Sequence, residues 1–220
     1  MNIKELLQTN TVPYKSHPYG NRPGYEYTDS ITPLTERAFI ESYKLLADGL
    51  HVRFPNCHSV LELGAGCGCL SYYFRQIQKP GDIYVTTDIN EDSAKEPYNG
   101  PNHFYLLSDE PFHLVDGNNK TLTFDLILSF EHFEHINSNV VPVLLNNIKR
   151  HCHENTIVVA TAAQFHRESH VTLWSKDQWT AVLNESGFEI QNECILTQVM
   201  MPFHIKLPGV AELVFRLARK

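Results

Sequence analysis

Basic residues are scarce in this chain. Eighteen Lys and Arg stand against 25 Asp and Glu, giving a net charge of −7 over 220 residues. That balance argues against a general nucleic-acid binder, which needs clustered cations to neutralise phosphates, and the basic residues present are scattered. No apolar run reaches the roughly 18–20 residues of a membrane span. The opening Met1–Gln8 stretch has no long apolar core of the secretory kind, so a cytoplasmic protein is expected. Cysteine is sparse as well: Cys57, Cys67, Cys69, Cys152 and Cys194 are odd in number and irregularly spaced. Cys67-x-Cys69 has no second pair, which argues against a structural zinc site and for reduced thiols. Internal repeats and low-complexity stretches are absent. What remains, 42% hydrophobic and 20% charged residues, supplies a real core and fits one α/β domain.

Residues 1–31 read as a separate segment. Pro13, Pro18 and Pro23 with Gly20 and Gly24 interrupt regular structure there, and Tyr14, Tyr19, Tyr25 and Tyr27 fall among them. Two readings stay open: a strap packed on the domain, or an aromatic lid that excludes water from a site. A domain over 32–220 follows. Thr32-Pro33 reads as an N-cap and first helical position, and Phe39, Tyr43, Leu46 and Leu50 predict a helix over about 33–50.

Beyond it, short apolar strands alternate with amphipathic helices. The expected strands are 59–63, 82–87, 103–107, 124–129, 156–161, a sixth held within the segment from Phe188 to about Met200, and a last one over 212–217. Leu70, Tyr73, Phe74 and Ile77 mark one helix face. Val140, Val141, Leu144, Leu145 and Ile148 mark another. Ser175-x-x-Gln178 is a capping box, flanked by Trp174 and Trp179 at the hydrophobic-staple positions, and Gly187 closes that helix. The alternation implies a doubly wound, mostly parallel sheet.

Ligands of such sheets bind beyond the carboxyl ends of the strands, which singles out the residues following each strand. After the first comes Glu62-Leu63-Gly64-Ala65-Gly66-Cys67-Gly68. Its glycines let backbone approach a nucleotide-type ligand closely, with amides expected to donate to it. The spacing is neither that of the dinucleotide fingerprint, since Cys69 stands at its last glycine, nor that of the G-x-x-x-x-G-K-[ST] phosphate loop. The second strand ends in Asp88, placed to accept from ribose hydroxyls. Asp109 and Glu110 follow the third strand, and Ser129, Phe130, Glu131, His132, Phe133, Glu134 and His135 follow the fourth.

Val60-Leu61-Glu62-Leu63-Gly64-Ala65-Gly66-Cys67-Gly68 resembles the first motif of the class I S-adenosylmethionine-dependent methyltransferases. Asp88 resembles their ribose acid and Asp109 their adenine-contacting acid. Residues 124–129 resemble their fourth-strand motif, and Glu131 to His135 its frequent E-x-x-E-H continuation. Trp174 through Phe188 is similar to their late helix and strand. The resemblance covers about residues 55–220. It implies a Rossmann-like α/β fold with a seven-stranded sheet, the last strand antiparallel, and helices on both faces. It also implies S-adenosylmethionine as cofactor, held by Glu62, Gly64, Ala65, Gly66, Gly68, Asp88, Ile89, Asp109, Glu110, Ser129 and Phe130. Its substrate part is divergent, and the Tyr-rich start and residues 200–209 are expected to shape the acceptor pocket.

The expected activity is methyl transfer to oxygen or nitrogen of a small-molecule acceptor. If residues 131–135 are helical, Glu131, Glu134 and His135 share a face, while His132 points about 100° away. His135 is then the first candidate general base and His132 the second. His170, with His166 nearby, follows the fifth strand on the same rim. The Glu131, Glu134, His135 and His170 set also resembles clusters that hold a divalent metal in some relatives. Ubiquinone-pathway O-methyltransferases share its first three residues, and small-RNA 2′-O-methyltransferases add a later histidine. The same E-x-x-E-H occurs in metal-free members, and the metal-free reading is preferred here. The competing classes are a non-catalytic module with this fold, and a nicotinamide-dependent oxidoreductase, disfavoured by Cys69. Neither the acceptor nor the oligomeric state is specified.

Overall fold

The computed structural model describes residues 33–66, 68–88, 102–106, 108–167, 169–191, 195–196 and 209–219. The Tyr-rich segment 1–31, Cys67, Ile89, Cys194 and most of 200–209 lie outside the described residues. The chain runs α1 (Pro33–Arg53), β1 (Ser59–Leu63), α2 (Cys69–Ile77), β2 (Ile83–Asp88), β3 (His103–Tyr105) and β4 (Phe124–Ser129). After a 3₁₀ turn at Phe133–His135 come α3 (Val141–Arg150), β5 (Cys152–Ala163), α4 (Lys176–Glu185), β6 (Phe188–Ile190) and β7 (Val210–Leu217).

Among the described residues seven strands form one sheet in the order β3-β2-β1-β4-β5-β7-β6. The β1–β2, β1–β4, β2–β3 and β4–β5 pairs are parallel, and β7 runs antiparallel to both β5 and β6. The order reverses between β1 and β4, the switch point where a crevice opens at the strand ends. Because side chains alternate along a strand, neighbouring residues feed opposite cores. Val60, Tyr84, Leu126, Leu128 and Val159 pack with Leu46, Ala47 and Leu50 of α1 and Leu70 and Phe74 of α2. Leu61, Leu63, Val85, Ile127 and Val158 pack with Leu144, Leu145 and Ile148 of α3 and Trp179 and Leu183 of α4. Both faces are therefore covered, as parallel strands require.

Element boundaries moved where tertiary contacts outweigh local pattern. The sixth strand occupies Phe188–Ile190, the start of the segment expected to hold it. Gln191 N still donates to Val214 O at 2.7 Å, but Ile195 and Leu196 then adopt a helical turn and bury on the α1–α2 side. β3 ends at Tyr105, two residues short of expectation, and Leu106 N closes on Asp88 O at 3.0 Å. β5 is longer than the expected 156–161 because Cys152 pairs with Phe124 across a register shift. The capping box is present: Ser175 N donates to Gln178 Oε1 at 2.8 Å and Gln178 N to Ser175 Oγ at 3.3 Å. The staple is present too, with the Trp174 and Trp179 rings 4.7 Å apart.

Candidate functional site

The turn after β1 is held by its own protein. Gly64, Gly66 and Gly68 have φ of 69°, 54° and 79°, a region that glycine enters without Cβ strain. Gly64 N and Ala65 N donate to Thr87 O at 2.9 and 3.0 Å, Gly68 N to Ala65 O at 2.9 Å, and Gly66 N to Asp88 Oδ2 at 2.7 Å. These bonds correct the expectation that the amides are kept for a ligand. The glycines instead remove side chains from the approach, and β2 supplies the acceptors that fix the turn. Glu62 lies beneath it, buried in β1, and accepts from the Tyr84 hydroxyl at 2.9 Å. Burial and the Glu62 charge drive the Tyr84 phenol well above its ordinary range, so Tyr84 stays a donor.

Asp88 is buried at the tip of β2, and Asp109 and Glu110 are half-buried in the turn after β3. That turn is clamped from α3. Asn147 Nδ2 donates to Ser108 O at 3.0 Å and Glu110 O at 2.7 Å, and its Oδ1 accepts from Phe112 N at 3.1 Å. Asn147 is a residue the sequence reading missed. Its signal was a polar side chain within the apolar face of Leu144, Leu145 and Ile148.

Ser129 ends β4 and begins a buried polar chain. Ser129 Oγ donates to Leu63 O at 3.3 Å and accepts from His132 Nδ1 at 2.8 Å, and Ser108 Oγ donates to His132 Nε2 at 2.7 Å. Burial, with the neighbouring His135, pushes the His132 pKa down to about 3. Both ring nitrogens are thus engaged and the ring stays neutral, which overturns His132 as a candidate base. The imidazole is a wall against the glycine turn: a Cβ on Gly64 would lie 2.7 Å from its ring carbons. Phe130 is half-buried against the α1–α2 core.

Glu131 has φ of 50° and its amide donates to Thr161 Oγ1 at 2.9 Å. A left-handed residue there breaks the chain direction before the short 3₁₀ turn, so the helical face shared by Glu131, Glu134 and His135 does not exist. Glu131 is exposed and stands outside the group of ligand-type side chains. His166 is exposed and also outside it. Among the described residues, that group is Glu134, His135 and His170, with one ligand atom from each lying within 4.8 Å of the others.

The loop after β5 builds the other half of this group. Val171 N and Thr172 N both donate to Glu134 O, at 2.9 and 3.1 Å, and Thr172 Oγ1 donates to Ile136 O at 2.7 Å. His135 Nδ1 faces Ser169 O at 3.0 Å and His170 Nδ1 faces Phe165 O at 2.8 Å. Burial lowers the His135 pKa, the Ser169 carbonyl opposing it. Burial lifts the Glu134 carboxyl to about 7. The Glu134 and Ala163 amides pull the other way from nearby, yet neither sits at hydrogen-bonding geometry, and both carboxylate oxygens lack a bonded partner among the described residues.

Similarity to known proteins agrees with this architecture. The family described as "Methyltransferase domain" matches residues 30–193. No curated protein matches the sequence significantly. Among solved structures, a S-adenosylmethionine-dependent methyltransferase from Clostridium acetobutylicum aligns with TM-score 0.62 at 12% identity, over 86% of this chain and 100% of that one. The mitomycin 7-O-methyltransferase MmcR aligns with TM-score 0.58 at 12% identity, over 84% of this chain and 58% of that one. This chain therefore spans little more than half the length of MmcR. The glycopeptide N-methyltransferase MtfA, complexed with S-adenosylmethionine, aligns with TM-score 0.56 at 12% identity, over 80% and 94%. At such identities the likeness is one of fold.

Proposed function

This chain belongs to the methyltransferase-domain family, and on that premise we propose that it transfers a methyl group from S-adenosylmethionine to an oxygen or nitrogen of a small-molecule acceptor. The carrying observation is positional. The glycine turn, Asp88, the Asp109–Glu110 turn and Ser129 stand at the ends of β1, β2, β3 and β4, which are consecutive neighbours in the sheet. The chemistry of that donor set fits the cofactor. Carboxylates at the tips of β2 and β3 suit hydroxyl and amino donors of an adenosine, and their negative charge suits a sulfonium.

When bound, S-adenosylmethionine supplies an electrophilic methyl carbon. The chain's own residues would then do the rest by positioning. Asp88 accepts from the ribose, Asp109 and Glu110 border the adenine, and Glu62, Gly64, Ala65, Gly66 and Gly68 form the floor with Ser129 and Phe130 beside it. The polar chain of Ser108, His132 and Ser129 ties the β3 and β4 ends into one wall. His135, whose ring packs edge-on to His170 with centroids 5.1 Å apart, takes the proton of the acceptor in this reading. The O- and N-methyltransferases of similar fold are named for a mitomycin and a glycopeptide, which supports an organic acceptor.

Calorimetry with S-adenosylmethionine tests the reading. Saturable binding by the wild-type chain that weakens at least tenfold in Asp88→Ala is expected. Absence of binding, or unchanged binding in that variant, would overturn it.

A further inference from the structure

The turn after β3 gets little support from the sheet. β3 is a three-residue strand at the sheet margin, paired with β2. Beyond it, Ser108, Asp109 and Glu110 must still take up a definite place at the strand ends. Asn147 holds the backbone of that turn from α3, through Ser108 O and Glu110 O. From the side of the glycine turn the hold is a side chain, Ser108 Oγ donating to His132 Nε2 at 2.7 Å.

The direction of the hydrogen bonds around that ring is forced. Leu63 O can only accept, so the one hydroxyl proton of Ser129 goes to it, at 3.3 Å. Ser129 Oγ must then accept from His132 Nδ1, at 2.8 Å. A neutral ring with its proton on Nδ1 has a lone pair on Nε2, which takes the Ser108 proton. The chain from Ser108 through His132 and Ser129 to Leu63 therefore runs one way, with every member paired. It joins the turn after β3 to the ends of β4 and β1, strands with which β3 does not pair. The same ring lies against Gly64, where an added Cβ would come within 2.7 Å of it.

Ser108, Ser129 and His132 are all buried. Such a polar set adds little net stability over apolar side chains of the same volume, whereas a fully paired network fixes one geometry. We propose that His132 is a positioning residue for the adenosine end of the cofactor: by holding Ser108 it sets where the turn carrying Asp109 and Glu110 stands relative to the glycine turn. This role rests on the methyl-transfer reading for its ligand, and in it His132 acts through Ser108 and not on a reacting atom.

Two substitutions in the full chain split the two bonds of the ring. Asparagine places an amide nitrogen near the Nδ1 position, so His132→Asn keeps the bond to Ser129 and loses Ser108. Glutamine places its amide oxygen near the Nε2 position, so His132→Gln keeps Ser108 and loses Ser129. Calorimetry with S-adenosylmethionine should show affinity down about fivefold or more in His132→Asn and within about twofold of wild type in His132→Gln, although both melt lower by similar amounts. Adenosine, which lacks the sulfonium and the amino-acid end, should lose the same factor in His132→Asn. Ser108→Ala should reproduce that loss with the ring intact, and adding it to His132→Asn should cost no further affinity. A purely structural ring would weaken the asparagine and glutamine variants alike, and equal affinities in the two overturn the proposal. So does a loss confined to S-adenosylmethionine and absent for adenosine. If the His132 variants do not fold, Ser108→Ala decides, and unchanged affinity there overturns it. A wild-type chain that binds neither probe sinks the methyl-transfer reading and this role together. Wild-type binding that Ser108→Ala and His132→Asn leave unchanged sinks this role alone.

Discussion

Gly64 and His132 are in closest possible register: a Cβ added at Gly64 would meet the buried imidazole at 2.7 Å, while the ring itself is pinned at both nitrogens by Ser108 and Ser129. The glycine is therefore required twice, by its φ of 69° and by the wall beside it.

Gly64→Ala should destabilise the fold by about 2–4 kcal/mol, combining backbone strain with overpacking against a ring that cannot turn away. His132→Ala opens the space. Denaturant unfolding of the two single variants and the double variant should give a coupling of about 1 kcal/mol or more in the rescuing direction. Additive effects would show that the contact does not matter.

Asp88→Asn should separate the two roles of this carboxylate. The asparagine oxygen still accepts from Gly66 N, now 2.7 Å from Asp88 Oδ2, so the melting temperature should hold within a few degrees. Its amide donates where a ribose hydroxyl also donates, so cofactor affinity measured by calorimetry should fall about tenfold or more. Asp88→Ala should lose affinity and loosen the turn as well.

Asn147→Leu should cost about 2–4 kcal/mol, because it strands Ser108 O, Glu110 O and Phe112 N, three partners of one side chain in a buried setting. It also frees the turn carrying Asp109 and Glu110, so cofactor affinity should drop although Asn147 is not itself among the residues expected to hold the cofactor. Chemical denaturation and calorimetry on the same sample check both parts. Lost stability with unchanged affinity would restrict Asn147 to packing.

Acid should destabilise the protein through His151. Its Nδ1 donates to Leu122 O at 2.7 Å, its Nε2 accepts from Leu114 N at 3.3 Å, and it stacks on Phe112. Burial, with His113 and Arg150 nearby, lowers its pKa to about 4 against an ordinary 6.5. The unfolded chain therefore takes up a proton that the folded one refuses. The stabilisation is whole above pH 6.5 and is lost as pH falls toward 4, by on the order of 3 kcal/mol for this group. His103, lowered to about 4 by burial, adds in the same direction. Unfolding free energies measured from pH 7.5 to 4 should show a shallower slope in His151→Gln than in the wild type. Identical slopes would remove His151 as a source.

The fold was legible because its signals are local. Apolar strands of the right length, the Ser175–Gln178 capping box and the glycine turn each act within a few residues, and the structure keeps all three. Asp88 was found from its spacing to that turn, which parallel pairing of β1 and β2 converts into the 2.7 Å bond to Gly66 N.

The site's finer assignments needed tertiary structure. Sequence spacing placed Glu131, Glu134 and His135 on one helical face, but the Glu131 amide bonds to Thr161 from β5 and the residue turns left-handed, so only Glu134 and His135 face the loop carrying His170. His132 had the composition of a base and became a wall, because Ser108 and Ser129, 24 and 3 residues away, close on both nitrogens. Asn147 looked like a lapse in an apolar helix face and is a clamp on a turn 35 to 39 residues earlier. The sequence alone determined which elements form and which residues stand at the strand ends, since those follow from hydrophobic period and turn preference. Only the packed structure decided which side chains keep a lone pair or a charge available, since that depends on burial and on partners distant in the chain.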